Sequence, residues 1–395
     1  MTCELLQFLK NALGIHSADN FRMVVHTPNK KGDGFLGDIL FVTLEDSHLA
    51  YHLVVKQAFT DASVREMHPI RNVFLNEIHF YTNIWPRLDQ FQARVPERYR
   101  FQNLPRCFGA SAEERSERIV LENLKRQGFQ VHDKKQPLDG EQYEMIMKVY
   151  GRFHALSFAY KALHPEEYAG LQLGLRNAFW DLLQRDFFKR GNVETHRICL
   201  QGLSGVDDAV TEKYSRYPER CNDLLRESLD CRTEYTVILH GDCWSNNVMF
   251  KYEESGALAD LRLLDFQMSK EGSPCCDLSY TIYSGASKPI LQNLDSYLHV
   301  YHDSLSSTLK AFGCDSDRIY PFHQLKKDWK RYCKLGFSMA LMIWRMKLTE
   351  EGQVKDLQDM TKQSEEELRA SAYDETEYRR ITRDLVLHMF ENDFL

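Results

Sequence analysis

The first third of the chain alternates short apolar runs with polar turns, which is the pattern of a small sheet. The β-prone runs are Phe21–His26, Ile39–Leu44 and Tyr51–Lys56. Three such runs joined by short connections predict an antiparallel meander. Apolar side chains then recur about one helical turn apart from Phe74 to Ile84, so a helix is predicted there, and we expect Pro86 to end it.

Apolar positions in the rest of the chain are spaced mainly as in helices. A β-prone run, Arg118–Leu124, leads into a charged connection at residues 125–137, and two short apolar runs, Val237–Leu239 and Leu261–Leu264, interrupt the later helices. The sequence thus predicts an α+β chain, with a small antiparallel-sheet lobe over residues 1–124 and a larger, mainly helical lobe over residues 125–395. The helices of the second lobe are predicted at Tyr143–Ala159, Phe179–Lys189, Ala209–Tyr217, Tyr297–Phe312, Leu325–Lys347 and Glu375–Phe390.

Composition narrows the class of protein. The chain has 395 residues and a net charge of −7, so nucleic acid and anionic membrane surfaces are not expected partners, because both attract basic proteins. Its longest apolar run, Leu335–Trp344, is shorter than the about 20 residues that span a bilayer, and its first ten residues have the pattern of an amphipathic helix rather than an export signal. Ten scattered cysteines without a CxxC pair favour free thiols in a reducing cytoplasm over disulfides or metal sites.

Two polar segments that follow apolar strands carry the candidate chemistry. In the first segment, His240–Asn247, Asp242 and Asn247 are five residues apart between two β runs. In phosphoryl transfer a carboxylate accepts the proton of the acceptor hydroxyl, while an amide oxygen helps to hold Mg²⁺. The second segment ends a buried strand with Asp265, and Mg²⁺ prefers such hard oxygen ligands. In this order and at this spacing the segments resemble the catalytic core shared by protein kinases and the aminoglycoside and choline phosphotransferases, in which the first Asp is the base and the Asn and second Asp bind metal.

A glycine-rich string precedes the second β run. Gly32, Gly34 and Gly37 form a G-x-G-x-x-G pattern, which alone fits a dinucleotide-binding fold equally well. A dinucleotide loop must open a helix, whereas strand-like residues from Ile39 to Leu44 follow here. We therefore expect a hairpin that covers phosphates.

Lys56 ends the third β run, where a kinase lysine would contact the α- and β-phosphates of the nucleotide. Such a lysine needs a carboxylate that holds it in place. Glu77 is the first candidate, because a charged residue on an apolar helix stripe is costly unless it is paired. Glu66 is its main competitor.

Over nearly its whole length the chain resembles the ecdysteroid-kinase-like (CHK-like) family of arthropods and related animals. The combination of HGD-x-W-x-N-N with DFQ is specific, and Cys243 is a departure, since the family more often has an aliphatic residue there. The resemblance implies a two-lobed protein-kinase-like fold and transfer of the γ-phosphate of ATP, with Mg²⁺, to a hydroxyl of a small molecule, such as an ecdysteroid or another alcohol or phenol. The segments that carry it are Leu121–Leu124, Phe153–Ser157, His240–Asn247, Asp265–Gln267 and Cys275–Tyr280.

The same resemblance implies supporting roles for other residues. Backbone groups of the inter-lobe hinge, Glu122, Asn123 and Leu124, would bind adenine. Asp277 would brace the catalytic loop, which is the segment His240–Asn247. The position of Asp277 before a helical run also predicts a simple N-cap. A hydrogen-bonded core histidine is the expected role of His154.

Two other functions remain open. A kinase-shaped binding protein would hold a hydrophobic ligand without turnover, although a silent protein has no need to keep Lys56, Asp242, Asn247 and Asp265 together. A choline- or ethanolamine-type kinase would need an aromatic box around the ammonium group, and the aromatic residues between positions 280 and 344 have the spacing of ordinary core residues as well. A protein kinase is disfavoured because no A-P-E segment follows Asp265.

Overall fold

The structure, a computed structural model, describes residues 2–15, 21–26, 36–203, 205, 208–231, 233–350 and 372–395. Its first part is an antiparallel sheet with helices on both sides. The elements of this part are α1 (Thr2–Ala12), β1 (Arg22–His26), β2 (Gly37–Glu45), β3 (Ala50–Ala58), α2 (Ala62–Met67), α3 (Ile70–His79), α4 (Trp85–Gln92), β4 (Cys107–Ser111) and β5 (Arg118–Glu122).

The five strands lie in the order β1-β2-β3-β5-β4, with every neighbouring pair antiparallel. The predicted meander is therefore confirmed for the first three strands. Side chains alternate between the two faces of each strand. Val55 of β3 packs in a cluster with Leu5 and Leu9 of α1, and the next side chain along, Lys56, reaches α3 on the opposite face.

The helix predicted from Phe74 does not end at Pro86. Helix α3, a π-helical turn at Phe80–Ile84 and α4 follow one another directly. Pro86 lies in the first turn of α4, where a missing N–H is tolerated, and the widened π turn before it accommodates the proline ring. The uninterrupted helical path carries Glu77 and Phe80 toward the second part of the chain.

The second part is mainly helical. Two small antiparallel sheets interrupt it, with strand orders β6-β8-β9 and β10-β7. None of the described helices is long and apolar enough to cross a membrane. The elements are β6 (Gln130–Val131), α5 (Gly140–Leu163), α6 (Pro165–Gln172), α7 (Ala178–Leu183), α8 (Asp186–Gln201), α9 (Asp208–Ser215), α10 (Tyr217–Leu229), β7 (Val237–Ile238), β8 (Val248–Tyr252), β9 (Leu258–Leu263), β10 (Glu271–Gly272), α11 (Pro274–Tyr283), α12 (Lys288–Gln292), α13 (Leu294–Ala311), α14 (Ser316–Ile319), α15 (Phe322–Leu348) and α16 (Glu375–Glu391).

A small antiparallel-sheet part followed by a large helical part is the two-lobed, kinase-like α+β fold that was predicted. The helix predicted over residues 179–189 is wrong in one respect, because the chain breaks into α7 and α8 at Gln184–Arg185. Leu124 begins a short 3₁₀ turn directly after β5, and the lobe boundary placed there stays a prediction. All ten cysteines are free, and seven of them are buried.

Candidate active site

The loop between β7 and β8 brings Asp242 and Asn247 together. After β7 it passes through a 3₁₀ turn at Ser245–Asn247, and β8 begins at Val248. The Nδ2 group of Asn247 donates to Asp242 Oδ2 at 2.9 Å and to the Asp242 carbonyl oxygen at 2.9 Å. Asp242 and Asn247, which are five residues apart in the sequence, therefore form a hydrogen-bonded pair.

The backbone just before Asp242 requires glycine. Gly241 has φ +87°, and a Cβ atom at this position would lie 2.1 Å from the carbonyl oxygen of Met268. Residues with a side chain avoid this left-handed conformation. The loop can therefore lie directly against the segment that follows Asp265.

His240 orients the loop through both ring nitrogens. Its Nε2 donates to the Leu264 carbonyl oxygen at 2.8 Å, and its Nδ1 accepts the Asp242 N–H at 3.1 Å. Such bonds assign the proton to Nε2. Burial lowers the pKa of His240, so the ring stays neutral and joins the loop to the end of β9.

Asp277 braces the same loop and is not an N-cap. Its carboxylate accepts the backbone N–H groups of His240 at 2.7 Å and Gly241 at 3.0 Å. The cap of α11 is Ser273, and Asp277 lies within the helix, fully buried. Burial alone would raise the pKa of Asp277, yet the hydrogen bond from His154 and the neighbouring charges lower it, so the carboxylate stays ionised.

His154 is a buried, hydrogen-bonded histidine, as predicted. One nitrogen, Nε2, lies 3.3 Å from Asp277 Oδ2, and the other, Nδ1, lies 3.0 Å from the Tyr301 hydroxyl. His154 supports the loop from α5. None of the hydrogen bonds between described residues joins it to Asp242.

The Asp242 carboxylate has a second donor that the sequence did not reveal. Tyr280 on α11 donates its hydroxyl to Asp242 Oδ1 at 3.1 Å. Burial and then the charge of Asp265 raise the pKa of Asp242 to about 7. Tyr280 follows Asp277 by three residues and therefore lies one turn away on the same helix face, but that spacing fits a core aromatic residue equally well.

Asp265 joins the loop to the end of β9. The backbone N–H of Leu264 donates to the Asn247 carbonyl oxygen at 2.8 Å. Asp265 itself has φ +70° and ψ +71°, a left-handed conformation that is rare for a residue with a side chain and that collects at functional sites. The next ring, Phe266, stacks on Phe80 with centroids 3.9 Å apart, which anchors the turn to the helical path from α3.

Lys56 connects the sheet to this turn. Its Nζ donates to Glu77 Oε2 at 2.5 Å and to Asp265 Oδ1 at 2.8 Å. Burial opposes the positive charge, but the carboxylates of Asp265 and Glu77 outweigh it and raise the pKa of Lys56. Burial, despite Lys56, raises the pKa of Glu77 to about 7. Glu66, the competitor, is exposed on α2, and the structure brings Glu77 to Lys56 instead.

Asn76, next to Glu77, is a further residue that the sequence reasoning missed. Its fully buried side chain donates to carbonyl oxygens of Arg176, Gln267 and Ser269 at 2.8, 3.2 and 3.3 Å. Its Oδ1 accepts the Arg176 N–H at 2.7 Å. A polar residue on an apolar helix stripe, the signal used for Glu77, also indicates this position.

The glycine string is only partly within the described residues. Gly32 and Gly34 lie outside them, and Gly37 is the first residue of β2, paired with Ala58. A Cβ atom at Gly37 would lie 2.4 Å from the Gln57 carbonyl oxygen and 2.8 Å from the Phe74 ring. This close packing accounts for the glycine at 37, and its role over phosphates stays a prediction.

The hinge residues Glu122, Asn123 and Leu124 lie at the end of the sheet, where Glu122 and Asn123 form hydrogen bonds within the protein. Glu122 accepts the Arg106 N–H at 3.2 Å, and the Asn123 N–H donates to the His52 carbonyl oxygen at 3.2 Å. Leu124 is buried beside β8. A backbone contact from these residues to adenine stays a prediction.

The donor set at the loop fits Mg²⁺. Asp265 offers a carboxylate, and Asn247 offers its amide oxygen because its Nδ2 is engaged by Asp242. Lys56 supplies one positive charge beside the carboxylates of Glu77, Asp265 and Asp242, and a divalent cation would offset the surplus negative charge. The described part of the chain contains no group of three or more His, Cys, Asp or Glu side chains that could hold a metal by themselves.

Comparison with solved structures gives likenesses of low identity over nearly the whole chain. A Plasmodium vivax ethanolamine kinase is 10% identical, with a TM-score of 0.45, and 98% of this chain and 88% of that chain are covered. A GDP complex of a variant of aminoglycoside 2′-phosphotransferase-IIIa is 11% identical, with a TM-score of 0.46 and 99% of each chain covered. Spectinomycin phosphotransferase, in complex with ADP and spectinomycin, is 13% identical, with a TM-score of 0.40 and 98% of each chain covered.

Among curated proteins no sequence matches the chain. The model of the ecdysteroid kinase-like family matches residues 31–314. The match covers well over half of the chain and includes Lys56, Glu77, the loop of Asp242 and Asn247, and Asp265. The chain therefore belongs to the ecdysteroid kinase-like family.

Proposed function

We propose that this protein is a kinase that uses Mg·ATP to phosphorylate a hydroxyl group of a small molecule. The observation that carries the proposal is the contact between Lys56 and Asp265. These residues are 209 positions apart, yet their side chains bond at 2.8 Å, and the charge of Asp265 acts on Asp242. A lysine for phosphates, a carboxylate for metal and a carboxylate base are the groups that phosphoryl transfer needs.

The proton and the phosphoryl group move between defined atoms. Asp242 accepts the proton of the acceptor hydroxyl while the hydroxyl oxygen bonds to the γ-phosphorus of ATP. The bond from that phosphorus to the β–γ bridging oxygen breaks, and ADP leaves with the electron pair. A base is most effective when its pKa lies near the working pH, and burial raises the pKa of Asp242 in that direction.

The remaining residues bind and orient the nucleotide. Lys56, held by Glu77, would neutralise the α- and β-phosphates. Asn247 and Asp265 would hold Mg²⁺, which when bound screens the charge of the phosphates. In the same proposal the glycine string covers the phosphates and the hinge backbone contacts adenine.

The family match supports the proposed acceptor class, and an ecdysteroid or another alcohol or phenol is the proposed substrate. Ten free cysteines, most of them buried, suit the proposed cytoplasmic location, because reducing compartments keep thiols free. A panel of ecdysteroids, phenols, glycosides and amino alcohols, incubated with the purified protein and Mg·ATP, tests the proposal by mass gain of one phosphoryl group.

Substitutions of Asp242 and Asp265 test whether these residues have the proposed roles in that activity. Asp242→Asn is expected to lower turnover by about 10²–10⁴-fold, which is the usual contribution of general base catalysis, while nucleotide binding survives. Asp265→Ala is expected to weaken Mg·ATP binding itself. Asp317→Asn, an exposed change on α14, is the matched control. Full turnover by the Asp242→Asn protein would contradict the assignment of the base.

A further inference from the structure

Tyr280 lies beside Asp242, the proposed base. Its side chain is only 2% exposed, and its hydroxyl donates to Asp242 Oδ1 at 3.1 Å. The other carboxylate oxygen, Oδ2, accepts Asn247 Nδ2 at 2.9 Å. Each oxygen of Asp242 therefore has a protein donor, and the Gln267 side chain also bonds to the carboxylate, so rotation of the carboxylate plane would break the bonds to Tyr280 and Asn247.

The backbone of α11 holds Tyr280 in place from two sides. One turn earlier, Asp277 bonds to the backbone of the catalytic loop. On the other side, α15 approaches α11 so closely that a Cβ atom on Gly336 would lie 2.2 Å from the Ser279 carbonyl carbon and 2.4 Å from the Tyr280 nitrogen. Only glycine permits this approach, and the phenol cannot retreat from Asp242 without moving α11.

We propose that Tyr280 is a positioning residue for Asp242, whose hydroxyl fixes the carboxylate in the orientation that accepts the proton of the acceptor. The inference rests on the proposed kinase function and deepens it. A carboxylate has about four lone-pair sites. The side chains of Tyr280, Asn247 and Gln267 use three of them, which leaves one for the acceptor hydroxyl.

The phenol keeps its own proton during the reaction. Burial and the nearby charge of Asp242 raise the pKa of Tyr280, so it remains a donor at neutral pH. The transferred proton goes from the acceptor to Asp242, and Tyr280 changes neither its charge nor its bonds.

A competing role is that the Tyr280 hydroxyl occupies the place of the acceptor hydroxyl and obstructs it. The two roles predict opposite effects of Tyr280→Phe, which removes one oxygen and keeps the ring. Positioning predicts slower turnover, and obstruction predicts faster turnover. A merely structural role predicts a change in stability without a change in turnover.

The test uses hydrolysis of Mg·ATP, with water as the acceptor, measured by phosphate release from the full-length protein. Tyr280→Phe is expected to lower kcat by about tenfold or more, which corresponds to a lost hydrogen bond to a charged group, and to leave KM for ATP nearly unchanged. Tyr283→Phe is the matched control. Tyr283 is also buried on α11, and its hydroxyl faces His388 rather than the site.

A double-mutant cycle separates positioning from damage to the fold. In the Asp242→Asn background, Tyr280→Phe is expected to have little further effect on kcat, because both changes act through the same carboxylate. Independent, multiplying effects would overturn the proposal. So would an unchanged or raised kcat of the single Tyr280→Phe protein.

The outcomes also separate this inference from the proposed function. If the unmodified protein is active and the Tyr280→Phe protein is equally active, only the role of Tyr280 is overturned. If the unmodified protein neither binds Mg·ATP nor releases phosphate, the kinase proposal is overturned, and the role of Tyr280 with it.

Discussion

Replacing Glu77 with glutamine removes one negative charge from the contact between Lys56 of the sheet and the turn at Asp265. Glu77 is 1% exposed and accepts the Lys56 ammonium at 2.5 Å, and the same ammonium donates to Asp265 at 2.8 Å. In the Glu77→Gln protein the amide oxygen can still accept one hydrogen bond from Lys56. The ammonium is then attracted mainly by Asp265, and it moves away from the position in which it would meet the phosphates.

The size of the effect follows from the lost charge. A hydrogen bond to a charged group contributes about 1.5–3 kcal/mol, and a neutral one about 0.5–1.5 kcal/mol. The difference is on the order of 1–2 kcal/mol, and since about 1.4 kcal/mol is tenfold, kcat/KM for Mg·ATP should fall by roughly five- to thirtyfold. The fold should not be weakened, because burial already opposes ionisation of Glu77 and raises its pKa to about 7.

Steady-state phosphate release at varied Mg·ATP measures kcat/KM, and urea unfolding measures stability. Glu66→Gln is the matched control, since Glu66 is an exposed glutamate on the neighbouring helix α2. The reasoning would be refuted if Glu77→Gln left kcat/KM at the level of the unmodified protein. It would also be refuted if Glu66→Gln caused the larger loss.

Three further changes test other parts of the structure. Gly241→Ala would bring a Cβ atom to 2.1 Å from the Met268 carbonyl oxygen at φ +87°, so most phosphate release should be lost. Asp277→Asn would put an amide donor against the N–H groups of His240 or Gly241 and should lower the urea-unfolding free energy by about 2–3 kcal/mol. Burial lowers the pKa of Lys347 to about 7, so between pH 7 and its ordinary pKa the unfolded chain binds more protons than the folded chain. The contribution of Lys347 to the unfolding free energy should therefore rise with pH over that window, and Lys347→Met should make the measured slope less positive.

Local spacing was sufficient to find the residues that lie next to each other in the chain or at strand ends. Asp242 and Asn247 share one loop, and Lys56 lies near the end of β3, whose alternation points it at α3. Glu77 was found because a charge on an apolar stripe needs a partner. In these cases a few residues of sequence determine where the side chain must point.

Residues whose role depends on packing between distant helices could not be found in this way. Tyr280 meets Asp242 from a helix, α11, whose backbone packs closely against α15 at Gly336, and nothing local distinguishes Tyr280 from a core aromatic residue. The position of Asp277 inside α11, rather than at its cap, depends on Ser273 starting the helix earlier. The prediction that the helix ends at Pro86 was wrong because the π turn before Pro86 has no clear sequence signal.

The short segment Asp265–Ser269 links the two parts of the molecule through several contacts. Asp265 bonds to Lys56 of the sheet, and the backbone of Gln267 and Ser269 bonds to Asn76 of α3. Because Asn76 and Glu77 are adjacent, a movement of α3 would break its bonds to the turn and would displace the carboxylate that holds Lys56. The sheet and the catalytic loop are therefore coupled through one helix turn, so a change at buried Asn76 should reduce catalysis through Lys56 while leaving the Asp242–Asn247 contact in place.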